Sequence, residues 1–130
     1  MKNIVIMILV CVLGLAGCSS PKPAFHVEKA DGIVVMYGFS SYAMFGASQD
    51  VLDSLTNQLN SLSFAQTDEQ MDFPTQFLVT LSDGKKDIAK FSVDENGVFQ
   101  LDGQTQNHKV SSGSFDYTYL KEAYENSKNP

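Results

Sequence analysis

Residues 76–101 read QFLVTLSDGKKDIAKFSVDENGVFQL, and this stretch decides the fold. Phe77, Val79 and Leu81 recur at every second position of Gln76 to Ser82, the period of a strand with one buried face. Asp83-Gly84 begins a turn. Asp87 to Val93 then forms a second strand that carries Ile88, Phe91 and Val93. Asn96-Gly97 predicts a type I′ hairpin turn, leading into a third strand, Val98 to Leu101. Consecutive hairpins imply an antiparallel sheet.

Upstream lies the clearest helical signal. Ser48 is placed to cap a helix, and Asp50 in the first turn complements its dipole. Val51, Leu52, Leu55, Leu59 and Leu62 follow at spacings of three and four, opposite Asp53, Thr56, Asn57 and Asn60. This is an amphipathic helix whose apolar stripe suits one face of a sheet. Before it, Phe25 to Lys29 alternates like a strand, and Ile33 to Tyr37 is continuously apolar, like a central strand. Ser63 to Pro74 is polar and turn-like, except for Phe64, Met71 and Phe73. Downstream, Asn107 to Val110 adds a short strand. Ser114 is expected to cap a last helix, Phe115 to Asn126, with Tyr117, Leu120 and Tyr124 on one face. The expected fold is α+β: an antiparallel sheet of about five strands, an amphipathic helix packed on it and a C-terminal helix, in the order ββα-βββ(β)-α.

Several of these elements carry a resemblance. An amphipathic helix precedes Asp72-Phe73-Pro74, then Phe77-Leu78-Val79-Thr80-Leu81, an Asn96-Gly97 hairpin and a closing Tyr-Leu-Lys helix. In this the chain resembles the small Gram-positive lipoproteins labelled YhfM-like. The resemblance implies a fold and a location but no reaction, and Cys18 is the one residue it assigns.

The N-terminal residues point the same way by themselves. Lys2 precedes an apolar run, Ile4 to Leu13, which ends in Gly14 and Leu15-Ala16-Gly17-Cys18. Charge, apolar core and small residues make a secretory signal, about five residues short of the roughly 20 that span a bilayer. Leu15-Ala16-Gly17-Cys18 matches a lipobox, which implies cleavage after Gly17 and a diacylglyceryl group on the Cys18 thiol, with palmitate-type chains. Residues 1–17 are then a removed signal, 18–24 a lipidated cysteine and short linker, and 25–127 a single domain. The linker Ser19 to Pro23 spans about 15 Å in an extended polyproline-like form. The expected location is the extracytoplasmic face of the cell membrane, or the outer membrane in a Gram-negative cell, where Ser19 is not the retaining Asp.

Removing 17 of 130 residues leaves 113, enough for one core. The nine basic residues are all Lys, and loss of Lys2 takes the net charge from −6 to −7. An acidic chain without Arg is poorly suited to bidentate phosphate recognition and lacks the basic stripe that nucleic acids need. With Cys11 in the signal and Cys18 acylated, no disulfide is expected.

Candidate chemistry is sparse. Asp94-Glu95-Asn96-Gly97 places its Gly at position four of a would-be calcium loop, where position six is required, and a hairpin turn is the simpler reading. His26 and His108 are two ligands short of a structural zinc set. They would be neighbours only if the sheet closed. His108 follows Asp102 and precedes Ser111 and Ser112, but a triad is defined by geometry and no G-x-S-x-G elbow occurs. No metal and no cofactor are expected. What remains is the loop with Tyr37, Phe39, Tyr42, Met44 and Phe45, whose adaptable aromatic and Met side chains suit recognition. The competing reading places these side chains in the core between helix and sheet. The leading function is a non-enzymatic, membrane-anchored binding module for a protein or small ligand. A small envelope-directed hydrolase and a regulator or inhibitor of a membrane enzyme are the rivals.

Overall fold

The computed structural model describes residues 24–129; the lipobox with Gly17 and Cys18 lies outside them. Seven strands form one open antiparallel sheet: β1 (Gly32–Tyr37), β2 (Ala43–Phe45), β3 (Ser63–Thr67), β4 (Phe77–Asp83), β5 (Lys86–Val93), β6 (Val98–Leu101) and β7 (Asn107–Ser112), in spatial order β2-β1-β4-β5-β6-β7-β3. Among the described residues two α-helices, α1 (Gln49–Asn60) and α2 (Tyr117–Ser127), complete the α+β fold. The strand count exceeds the expected five, because β2 and β3 arise where the sequence reads as loop.

Cross-strand partners share a face of a sheet, so the register assigns the layers. Tyr37, Phe77, Val93 and Phe99 lie opposite one another in a row, as do Val35, Val79 and Phe91. These residues pack with Leu52, Leu55 and Leu59 of α1 and with Leu120 and Tyr124 of α2 in one apolar cluster. Both helices therefore cover the same face. Each large apolar side chain buried there contributes roughly 1.5–3 kcal/mol. The reverse face carries Val34, Met36, Leu78, Ser92 and Gln100 by the same register.

That reverse face is crossed once. The chain from β3 at one edge to β4 near the middle passes over β7. There Lys109 pairs with Glu69 at 2.6 Å, and the Asn107 side-chain amide donates to the Glu69 carbonyl at 3.0 Å. Asp94 then holds the crossing. Its carboxylate is fully buried and accepts backbone N–H bonds from Asp72 (2.8 Å), Asn96 (3.0 Å) and Val98 (2.9 Å). The hairpin after β5 is tied by one side chain to the crossover.

Four local expectations change. Residues 25–29 form no strand: the Val27 backbone bonds instead with the Asn60 side chain, N–H to Oδ1 at 2.8 Å and Nδ2 to the carbonyl at 2.7 Å. The alternation is real, with Val27 buried and Phe25 half-buried, but an amide side chain replaces a neighbouring strand. In β5, Leu81 pairs with Ala89 and Ser82 with Asp87, so Ile88 is the extra residue of a bulge and Ala89 takes the inward position. At Asn96-Gly97 only Gly97 has positive φ, +78°, and its N–H bonds the Asp94 carbonyl. A type I′ turn needs two positive φ values, so this is a type I turn followed by a left-handed Gly. Finally, Asp116 rather than Ser114 caps α2, accepting from the Tyr119 N–H at 3.0 Å.

Removing the Asn60 amide leaves the buried Val27 backbone without its partner. Asn60→Ala should cost about 2 kcal/mol in urea unfolding and open the segment before β1 to proteolysis. An unchanged cleavage pattern would show that the pairing does not hold that segment.

Candidate functional site

The Tyr37–Phe45 stretch is the link between β1 and β2, and the sequence alternation splits it. Tyr37 ends β1 on the helix-covered face, its ring 4.5 Å from Phe77 and 5.6 Å from Tyr124. Met44, opposite Val35, is 2% exposed. Tyr42 is half-buried and bonds through its hydroxyl to the Ser127 carbonyl at 2.9 Å, tying the loop to the end of α2. Tyr124 answers from α2 with hydroxyl bonds to the Tyr42 carbonyl (2.9 Å) and the Ser40 Oγ (3.1 Å). Three of the five candidate residues thus anchor the link.

The other two face solvent. Phe39 is 85% exposed and Phe45 is 79% exposed. Phe45 lies opposite Val34 on the helix-free face. Gly38, with φ +47°, lets the chain turn against the Phe73-Pro74 backbone, where a Cβ would collide with the Pro74 carbonyl oxygen. Its N–H donates to the Gln76 carbonyl at 2.7 Å. That contact sets the Phe39 turn beside the 3-10 turn Phe73–Thr75, whose Phe73 is also exposed. Met36, at 45% exposure, completes the apolar surface and lies opposite Leu78. Met36 and Phe73 were not singled out from sequence. Their signal is that β1 carries apolar residues on both faces, Val34 and Met36 as well as Ile33 and Val35, although only one face is packed by helices.

The remaining candidates do not converge. His26 is exposed in the segment before β1. His108 is buried on β7, edge-on to Phe64, and its Nδ1 has no hydrogen-bond partner among the described residues. The sheet is open, with β2 and β3 as its edges, so closure does not bring the two histidines together. Among the described residues no group of three or more His, Cys, Asp or Glu is placed to hold a metal, and no helix is long and apolar enough to cross a membrane. The concavities are open grooves. One lies on the helix-free face between Leu78, Lys90, Ser92 and Gln100, and another lies beside Phe25, Ile88 and Asp102.

The titration of Tyr117 is displaced. Burial pushes its hydroxyl far above the ordinary tyrosine value, aided by the Tyr37 hydroxyl and the Glu95 carboxylate and opposed by Thr75. The hydroxyl donates to the Thr75 carbonyl at 2.6 Å, which closes the 3-10 turn onto α2. This is a structural role.

No protein-family model matches the chain, and no curated protein and no solved structure matches it either.

Two outcomes follow for stability. Phe39→Ala and Phe45→Ala should each change unfolding free energy by no more than about 0.5 kcal/mol, whereas Met44→Ala should cost about 2–5 kcal/mol. Urea titration of the three variants separates surface from core, and equal losses would contradict the division. The Tyr117 contribution is fully present below the unfolded-chain value of about 10 and is lost as pH rises from there through the folded value, because the unfolded chain gives up its proton first. Tyr117→Phe should flatten the fall of stability above that pH, and phenolate absorbance should show one tyrosine ionising only as the native domain opens.

Proposed function

We propose that this protein is an extracytoplasmic lipoprotein of the YhfM-like kind, held by a diacylglyceryl group on Cys18, and that it works as a non-enzymatic binding module. The observation that carries the binding reading is the exposure of Phe39 and Phe45 while Met44 is buried and the half-buried Tyr37 and Tyr42 pack against the core. Exposed apolar side chains on a rigid frame lose little freedom when they bind. Grouped with Met36 and Phe73 they make an apolar surface of the kind that marks interaction sites. The two helices shield the opposite face and leave this one free.

The anchor reading is supported by the Leu15-Ala16-Gly17-Cys18 sequence behind its apolar run. One acyl chain binds a bilayer only marginally, whereas two make attachment lasting. The acidic balance keeps the domain soluble and off anionic surfaces. The hydrolase reading gains nothing from His108, which has no carboxylate bonded to it among the described residues.

In-cell crosslinking of the tethered chain, with a Phe39→Ala/Phe45→Ala variant of verified fold beside it, tests the reading. A specific partner that is crosslinked by the native chain and lost in the variant is expected. A partner retained in full by the variant would move the site elsewhere. Palmitate labelling that persists in Cys18→Ser would overturn the anchor.

A further inference from the structure

β2 leaves one edge of the sheet free. The Gly46 N–H bonds the Ile33 carbonyl at 2.8 Å. In an antiparallel ladder, bonded pairs alternate, so Met44 exchanges its bonds with Val35. The N–H and C=O groups of Ala43 and Phe45 then point outward, away from β1. Among the described residues neither makes a backbone bond to another element.

Sheet edges in proteins are usually guarded by charge, proline, a bulge or a covering segment. The β3 edge has two such guards. A register shift falls between Ser63 and Phe64, and the Ala24 N–H bonds the Leu62 carbonyl just before it. The chain beyond β3 also continues into Asp68 and Glu69. The β2 edge is short but otherwise bare. Residues 32–49 carry no charged side chain, between Asp31 and Asp50. For a chain with a net charge of −6, a neutral edge is where a second copy can approach without like-charge repulsion.

We infer that two copies of this chain pair antiparallel through β2, about a twofold axis at Met44, into one continuous sheet. Ala43 then faces Phe45 of the partner subunit, and four backbone hydrogen bonds form across the axis. Ala43 and Phe45 both lie on the helix-free face, so the large exposed ring of one copy lies over the small side chain of the other. Such a twofold axis runs perpendicular to the sheet and keeps like faces together. The chain enters over the helix-bearing face, where the Phe25 ring packs 5.5 Å from Phe91 and 6.1 Å from Phe64. Both copies therefore carry Phe25 on the same side, as a shared bilayer requires, and the two apolar surfaces join on the other. An edge this short gives a weak interface in free solution. Confinement of tethered copies to one membrane raises their effective concentration. To that extent the inference rests on the lipid-anchor reading.

The test mixes two single variants of the full acylated chain, Ala43→Cys and Phe45→Cys, in the same phospholipid vesicles under mild oxidation. In the inferred register a bonded pair has Cα atoms about 5.5 Å apart, within disulfide range. Like positions across the axis are about 9 Å apart, too far to bridge. A disulfide dimer is expected in the mixture and not with either variant alone. Folded, acylated variants that form no mixed dimer, or that crosslink equally well alone, would overturn the pairing. The mass of the mature N-terminus reports acylation separately, so failure of the anchor and failure of the pairing are distinguishable. Should a thiol variant misfold, energy transfer between labelled native chains in those vesicles, abolished by Phe45→Lys, gives the answer. No transfer between native chains overturns it.

Discussion

Tyr124 is the side chain on which the two halves of the chain depend. It is fully buried, with its ring among those of Tyr37, Tyr42 and Phe77 and its hydroxyl spent on the Tyr42 carbonyl and the Ser40 Oγ. A tyrosine offers a large apolar body and one polar end, and burial demands that the end find a partner. Here the partner is the link between β1 and β2. The C-terminal helix therefore docks on the sheet and fixes the conformation of the one stretch that carries exposed aromatics. Lys128 closes this corner, its ammonium 4.7 Å from the Tyr124 ring centroid.

From that constraint the division of the β1–β2 stretch follows. Period-two alternation sends Met44 inward and Phe45 outward, and the Tyr124 and Ser127 bonds hold the register that decides which is which. A slip of one residue would exchange the two. The helix-free face inherits Phe45 and Met36 because both helices are committed to the other side. Asp94 performs the complementary task, tying the crossover to the hairpin after β5 through the Asp72 N–H. The neutral β2 edge and the apolar face are then parts of one arrangement: helices on one side of the sheet, exposed apolar side chains on the other.

Much of this was legible in the residues. The stripe Val51, Leu52, Leu55, Leu59 and Leu62 needs no partner to be read, because 3.6-residue periodicity is local. Phe77, Val79 and Leu81 likewise declare β4. The strand β3 could not be read, since Ser63–Thr67 is polar apart from Phe64 and Ala65 and its stability comes from pairing with β7, far along the chain. Phe25 to Lys29 failed in the opposite sense, because alternation reports burial and is silent on whether a strand or an Asn60 amide takes the backbone bonds. Ile88 was rightly read as part of β5 and packs against the core, but the bulge that sets it beside the inward Ala89 is not announced by residue type alone. In the Tyr37–Phe45 stretch the aromatics were legible, but which of them face solvent depends on α2, more than 70 residues downstream.

The one-sided core is tested most directly by two methionines on neighbouring strands. Met36 lies on the open face and Met44 beneath the helices. Peroxide oxidation of the folded full chain, followed residue by residue by mass spectrometry, should convert Met36 at the rate of an exposed methionine. Met44 should be spared until the domain unfolds. Equal rates for the two under native conditions, or faster conversion of Met44, would contradict the account.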